Sequence, residues 1–438
     1  MRENDKRLMD AVENGADRII NTLRDLIAFP SIVPTDSAAA GPAERECQEY
    51  LRGRLAVIGF TCDLWEPDGP ALYEKYKGRP GANKGRVFGG RPILAGRLPG
   101  SGGGKSIMLT GHIDVVTPGS ESHWQTDPFQ ATLKNGFLFG RGAVDMKGGV
   151  ASMLMATEFL REIDIQLQGD IVFSTVVDEE IGGMGTLALV DRGHQADAGI
   201  MTEATALAVS PLCHGILWGR IKINGIGGHA ELKPASWDEG GPVDAVWLTR
   251  QILDGIDILN RRWANEGCKN HPLMDLPNQI IVTQVNVGEH PSSMAGVGEI
   301  VIDVQYLPQE RDKAGLGGHV QREVEEHISR ICRVDPFLRK NPAKVEWILD
   351  ADCTELATDH PIVETTRDAI SAIGHKPQLW GLGAHADIGT LTELGQTPTI
   401  NFGPGNPIQA HQPNECISVS DLVAATQILA LTIERWCA

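Results

Sequence analysis

No two of the eight cysteines (Cys47, Cys62, Cys213, Cys268, Cys332, Cys353, Cys416, Cys437) stand at C-x-x-C spacing. That excludes a zinc ribbon and a redox-active pair, and scattered single thiols fit a reducing compartment. No apolar run approaches the roughly 20 residues that cross a bilayer. Residues 1–20 are charged throughout and lack the apolar core of a secretory signal. The expectation is therefore a cytoplasmic protein with no membrane partner. Positive charge is also short. Against 57 Asp and Glu there are 39 Lys and Arg, a net charge of −18. Nucleic acid and anionic membranes repel such a surface. No internal repeat or low-complexity tract is visible. The run GSGGGK at 100–105 lacks the register of a phosphate loop and precedes a strand, so it reads as a turn.

Glycine, by contrast, is plentiful at 50 of 438 residues, which suits an α/β protein with many tight turns. A chain this long exceeds one ordinary core, so two or three domains are expected. Strand patterns at 60–65, 92–97, 107–110, 170–177 and 198–202 alternate with helical patterns at 5–29, 44–58, 146–163 and 186–192. Such alternation predicts βαβ units and a mostly parallel sheet. From 213 onward the order becomes β-α-β-β-α-β, with strands at 215–224, 279–287, 297–307 and 344–349 and helices at 243–263 and 313–334. That is the split-βαβ, ferredoxin-like order. Helix, strand and helix then return at 361–373, 398–402 and 419–436. The expected architecture is an α/β domain with a mostly parallel mixed sheet flanked by helices, in segments 1–212 and 353–438. An inserted α+β domain would occupy 213–352.

The chemistry concentrates at strand exits. The strand at 107–109 delivers His112 and Asp114 as H-x-D, and GRGAVDMKGG places Asp145 before a helix. Another strand runs into Asp178-Glu179-Glu180, and the next ends near Glu203. His411 lies in a loop before the last helix. Alone, an H-x-D pair is more often a pair of solvated loop residues. Together there are two histidines (His112, His411) and four carboxylates (Asp145, Glu179, Glu180, Glu203). Imidazole and carboxylate without thiolate suit catalytic zinc, and also cobalt or manganese. The set exceeds one tetrahedral site. Two divalent metal ions sharing one carboxylate, with one of Glu179 and Glu180 left over as a base, is the simplest arrangement.

The ordered motifs GHIDVV, GRGAVDMKGG, DEEIGG, TEAT and GPG…AHQPNE resemble those of one di-zinc hydrolase family. Its members include acetylornithine deacetylase, succinyl-diaminopimelate desuccinylase, carboxypeptidase G and aminoacylase-1. The resemblance covers nearly the whole chain. It implies that His112, Asp145 and Glu203 hold one metal, and that Asp145, Glu180 and His411 hold the other. It further implies Glu179 as general base, Asp114 as the group that orients His112, and a cis peptide after Asp145. The implied activity is hydrolysis of a C–N bond of amide type in a small molecule. The inserted domain is then a lid and dimerisation domain of a homodimer. In it, His229 of the GIGGHA stretch would stabilise the oxyanion at the partner's site, although Glu231 stands where the motif usually has Ser.

The resemblance breaks at the groups that bind a substrate carboxylate. Gln305 replaces the arginine of the family's D-[IVL]-R motif, and the stretch 290–294 (HPSSM) has no Asn. A glutamine cannot form the bidentate charged pair of a guanidinium. His290 and Arg250 are the candidate replacements, and His385 is a further polar group in the loop GAHAD. A substrate other than an acetylornithine-type compound follows. The alternatives are hydrolytic deamination of an aromatic amine, a mononuclear exopeptidase, and a non-catalytic metal-binding homologue.

Overall fold

The segments Ile107–His112 and Ile171–Val176 are buried along their whole length, as strands at the centre of a sheet covered on both faces must be. In the computed structural model, which describes residues 2–34, 41–232 and 235–438, they lie side by side in a six-stranded sheet. Its order is Thr61–Trp65, Ile93–Leu98, Ile171–Val176, Ile107–His112, Ala198–Met201, Thr399–Asn401. The first two pairings are antiparallel and the other three parallel. The sheet is thus mixed and mostly parallel, as the strand–helix alternation predicts.

The chain divides into two compact units, Met1–Cys213 with Thr354–Leu382 and Ala386–Ala438, and His214–Cys353 with Gly383–His385. In the first, helix Lys147–Glu162 contacts strand Ile107–His112 and packs against helices Ala16–Ile27 and Val419–Trp436. Its first 14 residues, Lys147 to Leu160, are all buried, which explains a sequence apolar or small on every side. The second unit has a four-stranded antiparallel sheet, ordered Ile280–Val287, Val297–Tyr306, Gly215–Asn224, Lys344–Ala351. Helices Ala245–Trp263 and Gly318–Val334 pack against it and each other. This is the ferredoxin-like order.

One local expectation is corrected, and two short elements add to the pattern. The pattern at 5–29 is not one helix but two, Glu3–Asn14 and Ala16–Ile27. They meet at Gly15, where a Cβ would come within 2.5 Å of the Phe159 ring, so only glycine admits the approach. The polar loop after Asp114 contains a hairpin, Thr132–Lys134 and Phe137–Phe139, which Cys416–Ser418 completes as a third strand. Asn135 and Gly136 turn it with φ of 53° and 79°, the left-handed pair of a two-residue hairpin turn. A further short helix, Gly69–Tyr76, is capped by Asp68, which accepts from the Ala71 N–H at 3.0 Å. No helix among the described residues is long and apolar enough to cross a membrane. None of the eight cysteines is joined in a disulfide.

Candidate metal centre

Three neighbouring parallel strands end at one edge of the sheet, where open α/β sheets present their ligand sites. Ile107–His112 ends on His112 itself. Ile171–Val176 leads through Asp178 into the short turn Glu179–Ile181, and Ala198–Met201 is followed by Glu203. Asp145 lies in the turn before helix Lys147–Glu162, and the Asp145–Met146 peptide is cis. His411 follows the turn Pro407–Gln409.

These side chains form two trios around one shared carboxylate. Asp145 Oδ1 lies 3.0 Å from His112 Nε2, and Asp145 Oδ2 lies 3.2 Å from His411 Nε2. Glu203 joins the first trio, 3.5 Å from His112 Nε2. Glu180 joins the second, 2.9 Å from His411 Nε2. Within His112–Asp145–Glu203 and within Asp145–Glu180–His411, all ligand atoms are within 4.8 Å of one another. Glu179 belongs to neither trio, and its Oε2 stands 3.8 Å from His112 Nε2.

The donor set fits cations. His112 Nδ1 sits 2.9 Å from the Asp114 carbonyl oxygen, which only accepts, so Nδ1 carries the hydrogen. The Nε2 lone pair of the neutral ring then faces carboxylate oxygens, an arrangement that a cation or a second proton must resolve. Glu180 Oε1 is buried with no hydrogen-bond partner. Burial pushes Glu180 up to about 7, with Asp145 adding and His411 opposing. Burial opposes charge on His411, yet Asp145 and Glu180 raise it to about 11. The outer edge of that ring is exposed while Nε2 points inward. Burial likewise raises Glu179 well above the usual range, against His112 and with Asp387 and Glu203 adding. A pocket that holds carboxylates against their charge, with imidazoles aimed among them, is the environment of a divalent metal site.

Asp114 stands where an orienting carboxylate is expected, with a difference. The short contact to His112 comes from its main-chain carbonyl, and its carboxylate Oδ1 is 3.6 Å away. Oδ2 instead accepts the Glu180 N–H at 3.3 Å.

Buried ion pairs that no sequence motif assigns fix the acidic turn and the turn at Asp145. Asp178 is fully buried with φ of 76°. The Arg86 guanidinium reaches it at 2.6 Å and Arg91 at 2.8 Å, and Arg91 also holds Glu44 at 2.6 Å. Glu415, likewise buried, accepts from the Asp145 N–H at 3.1 Å. The available signal was weak: Arg91 is a lone charge between glycine and proline, Glu44 and Asp178 stand among other charges, and no partner in these pairs is a sequence neighbour.

The remaining candidates lie in the second unit. His229 is exposed in the two-residue strand Gly228–His229, which pairs with Ser293–Met294. The GGHA and HPSSM stretches are thereby joined in one small ribbon. His229 Nδ1 accepts the Glu231 N–H at 3.2 Å, and His290 Nδ1 lies 2.9 Å from Ser292 Oγ. Gln305 Nε2 donates to the Gly383 carbonyl at 3.1 Å, and His385 Nδ1 lies 2.9 Å from the Asp352 carbonyl. Arg250 faces Asp254 at 3.5 Å on an exposed helix turn.

The sequence profile of peptidase family M20/M25/M40 matches residues 108–435. The chain is 28% identical to an N-formyl-4-amino-5-aminomethyl-2-methylpyrimidine deformylase of Halalkalibacterium halodurans, over 99% of this chain and 97% of that one. It is 26% identical to a succinyl-diaminopimelate desuccinylase of a Bradyrhizobium species, over 95% and 98%. Its fold is similar to that of the dipeptidase Dug1p of Saccharomyces cerevisiae, with a TM-score of 0.76, 15% identity, and coverage of 100% and 99%.

Proposed function

The chain belongs to peptidase family M20/M25/M40, a family of metal-dependent hydrolases of amide-type C–N bonds, and from that premise we propose that it removes a formyl or other small acyl group from an amine carrying no free α-carboxylate. One observation supports the chemistry above the rest. Asp145 turns one oxygen to each trio while Glu179 stays outside both. His112, Asp145 and Glu203 would hold one ion, and Asp145, Glu180 and His411 the other. Nitrogen and oxygen donors without thiolate favour zinc, with cobalt or manganese as substitutes. Two such cations, when bound, would supply Lewis acidity to the amide carbonyl and lower the pKa of water towards neutrality.

The protein's own groups complete the reaction. Glu179 takes a proton from the attacking water as its oxygen bonds to the carbonyl carbon. The C–N bond then breaks, and Glu179 returns that proton to the leaving nitrogen. The acyl group leaves as a carboxylic acid, which gives its remaining water-derived proton to the freed amine, so the products are a carboxylate and an ammonium. Asp114 steadies His112 through its carbonyl and the Glu180 backbone through its carboxylate. His229 is exposed, and with Nδ1 accepting a main-chain N–H it carries its hydrogen on Nε2, as an oxyanion donor to a partner subunit requires.

The substrate class follows from a missing cation. Gln305 stands where the amino-acid-specific members have arginine, and a buried carboxylate without a positive partner is costly to desolvate. The similarity to an N-formylaminopyrimidine deformylase points the same way. The experiment is a comparison of kcat/KM for an N-formylated aminomethylpyrimidine, N-acetylornithine and N-succinyl-diaminopimelate. The pyrimidine is expected to lead by about 100-fold, a difference of roughly 3 kcal/mol in transition-state binding. A strong preference for either amino-acid derivative would overturn the assignment.

A further inference from the structure

Glu415 is fully buried and lies outside both trios, yet its side chain gathers four donors. Oε1 accepts the N–H groups of Val144 at 2.7 Å and Asp145 at 3.1 Å. Oε2 accepts the Gly142 N–H at 3.1 Å and the Arg141 guanidinium at 2.6 Å. The Glu415 carbonyl accepts the Gly140 N–H at 2.9 Å. Immediately beyond, Cys416–Ser418 pairs with Phe137–Phe139. The segment that carries His411 and the turn that carries Asp145 are therefore one hydrogen-bonded piece.

That piece is tightly specified. Gly142 has φ of 83°, and a Cβ there would meet Val115 at 2.8 Å. Successive N–H groups converging on one anion form a nest, and charge-assisted bonds of this kind are about twice as strong as neutral ones. What the nest fixes is the main chain at Asp145, and with it the plane of the one carboxylate common to both trios. A small rotation there would move Oδ1 away from His112 and Oδ2 away from His411 together.

We propose that Glu415 is a positioning residue for the metal pair, setting Asp145 so that its two oxygens address separate ions and holding the His411 segment in step with it. The inference rests on the two-ion reading of the site. It differs from a purely structural role in one respect. Loss of Glu415 should weaken both ions together, because Asp145 is shared, whereas loss of Glu180 should weaken one.

The test is a cobalt titration of the full-length protein after chelator treatment, read by visible absorption and by calorimetry. Thermal unfolding of the same stripped samples is measured alongside. Glu415→Gln keeps the size but turns an NH2 towards donors. Both dissociation constants are expected to rise by about 10–100-fold, with altered cobalt bands. Glu415→Asp keeps the charge, shortens the reach, and should move both constants the same way by less. A folded Glu415→Gln protein that binds both ions as wild type does, even with a lowered Tm, would overturn the proposal. So would a change confined to one ion, or failure of both variants to fold. If the wild-type protein itself takes up only one ion, it is the two-ion reading that fails.

Discussion

Glu179 and Glu180 are neighbours on the chain with different surroundings. Glu180 points at His411 within a trio, and Glu179 stands apart from both trios. Glu179→Gln is therefore expected to lower kcat by at least about 100-fold, the usual contribution of a general base, with both ions retained. Glu180→Gln is expected to lose one ion. Activity and metal content measured on the same samples check both statements, and near-normal kcat in the Glu179 variant would show that the base lies elsewhere. At this scale the sequence was informative where chemistry and spacing coincide: six ligand-type residues sit at strand exits or in loops. It assigned no role to Arg86, Arg91, Glu44 or Glu415, although Glu415 closes the motif AHQPNE. Their pairings span tens to hundreds of residues and follow from the fold rather than from any local pattern.

At the scale of elements, the site depends on how closely helix Lys147–Glu162 approaches the strand exit that carries Glu203. A Cβ on Gly149 would lie 1.8 Å from the Thr202 carbonyl oxygen, so the two backbones touch at that point. Gly149→Ala must push the helix outward. The expected cost is about 1–3 kcal/mol, the range for overpacking, read as a lower denaturant midpoint with an unchanged m-value. Ion binding should weaken too, since Asp145 precedes this helix and Glu203 follows Thr202. An unchanged midpoint would mean that the contact relaxes without strain. Long elements were legible because periodicity accumulates over many residues, as in Gly215–Asn224 and Val419–Trp436. Short ones were not. The Asn135-Gly136 hairpin carried a recognised turn signal, but its strands have three residues each, too few for alternation to show. The break at Gly15 carries only the brief local signal of Asn14-Gly15, and the ring that demands glycine there, Phe159, lies far along the chain.

At the scale of the whole molecule, strand Ile280–Val287 forms one edge of the second unit's sheet, and Ile281 and Val285 on it are exposed. An apolar edge of this kind is a natural pairing surface for a second copy. The protein is expected to scatter light as a homodimer. His229→Ala is expected to reduce kcat by about 100–1,000-fold, the usual cost of losing one oxyanion donor, with the dimer intact. A fully active monomer would contradict both expectations. The central claim concerns the metal pair, and the most direct measurement is a titration of the chelator-stripped protein with zinc. Bound ions per chain and the rate of hydrolysis of an N-formyl amine are followed in the same samples. Rate is expected to be negligible in the stripped protein and to reach its maximum only when two ions per chain are bound, one for each trio. Full activity with a single bound ion, or after complete removal of metal, would contradict it.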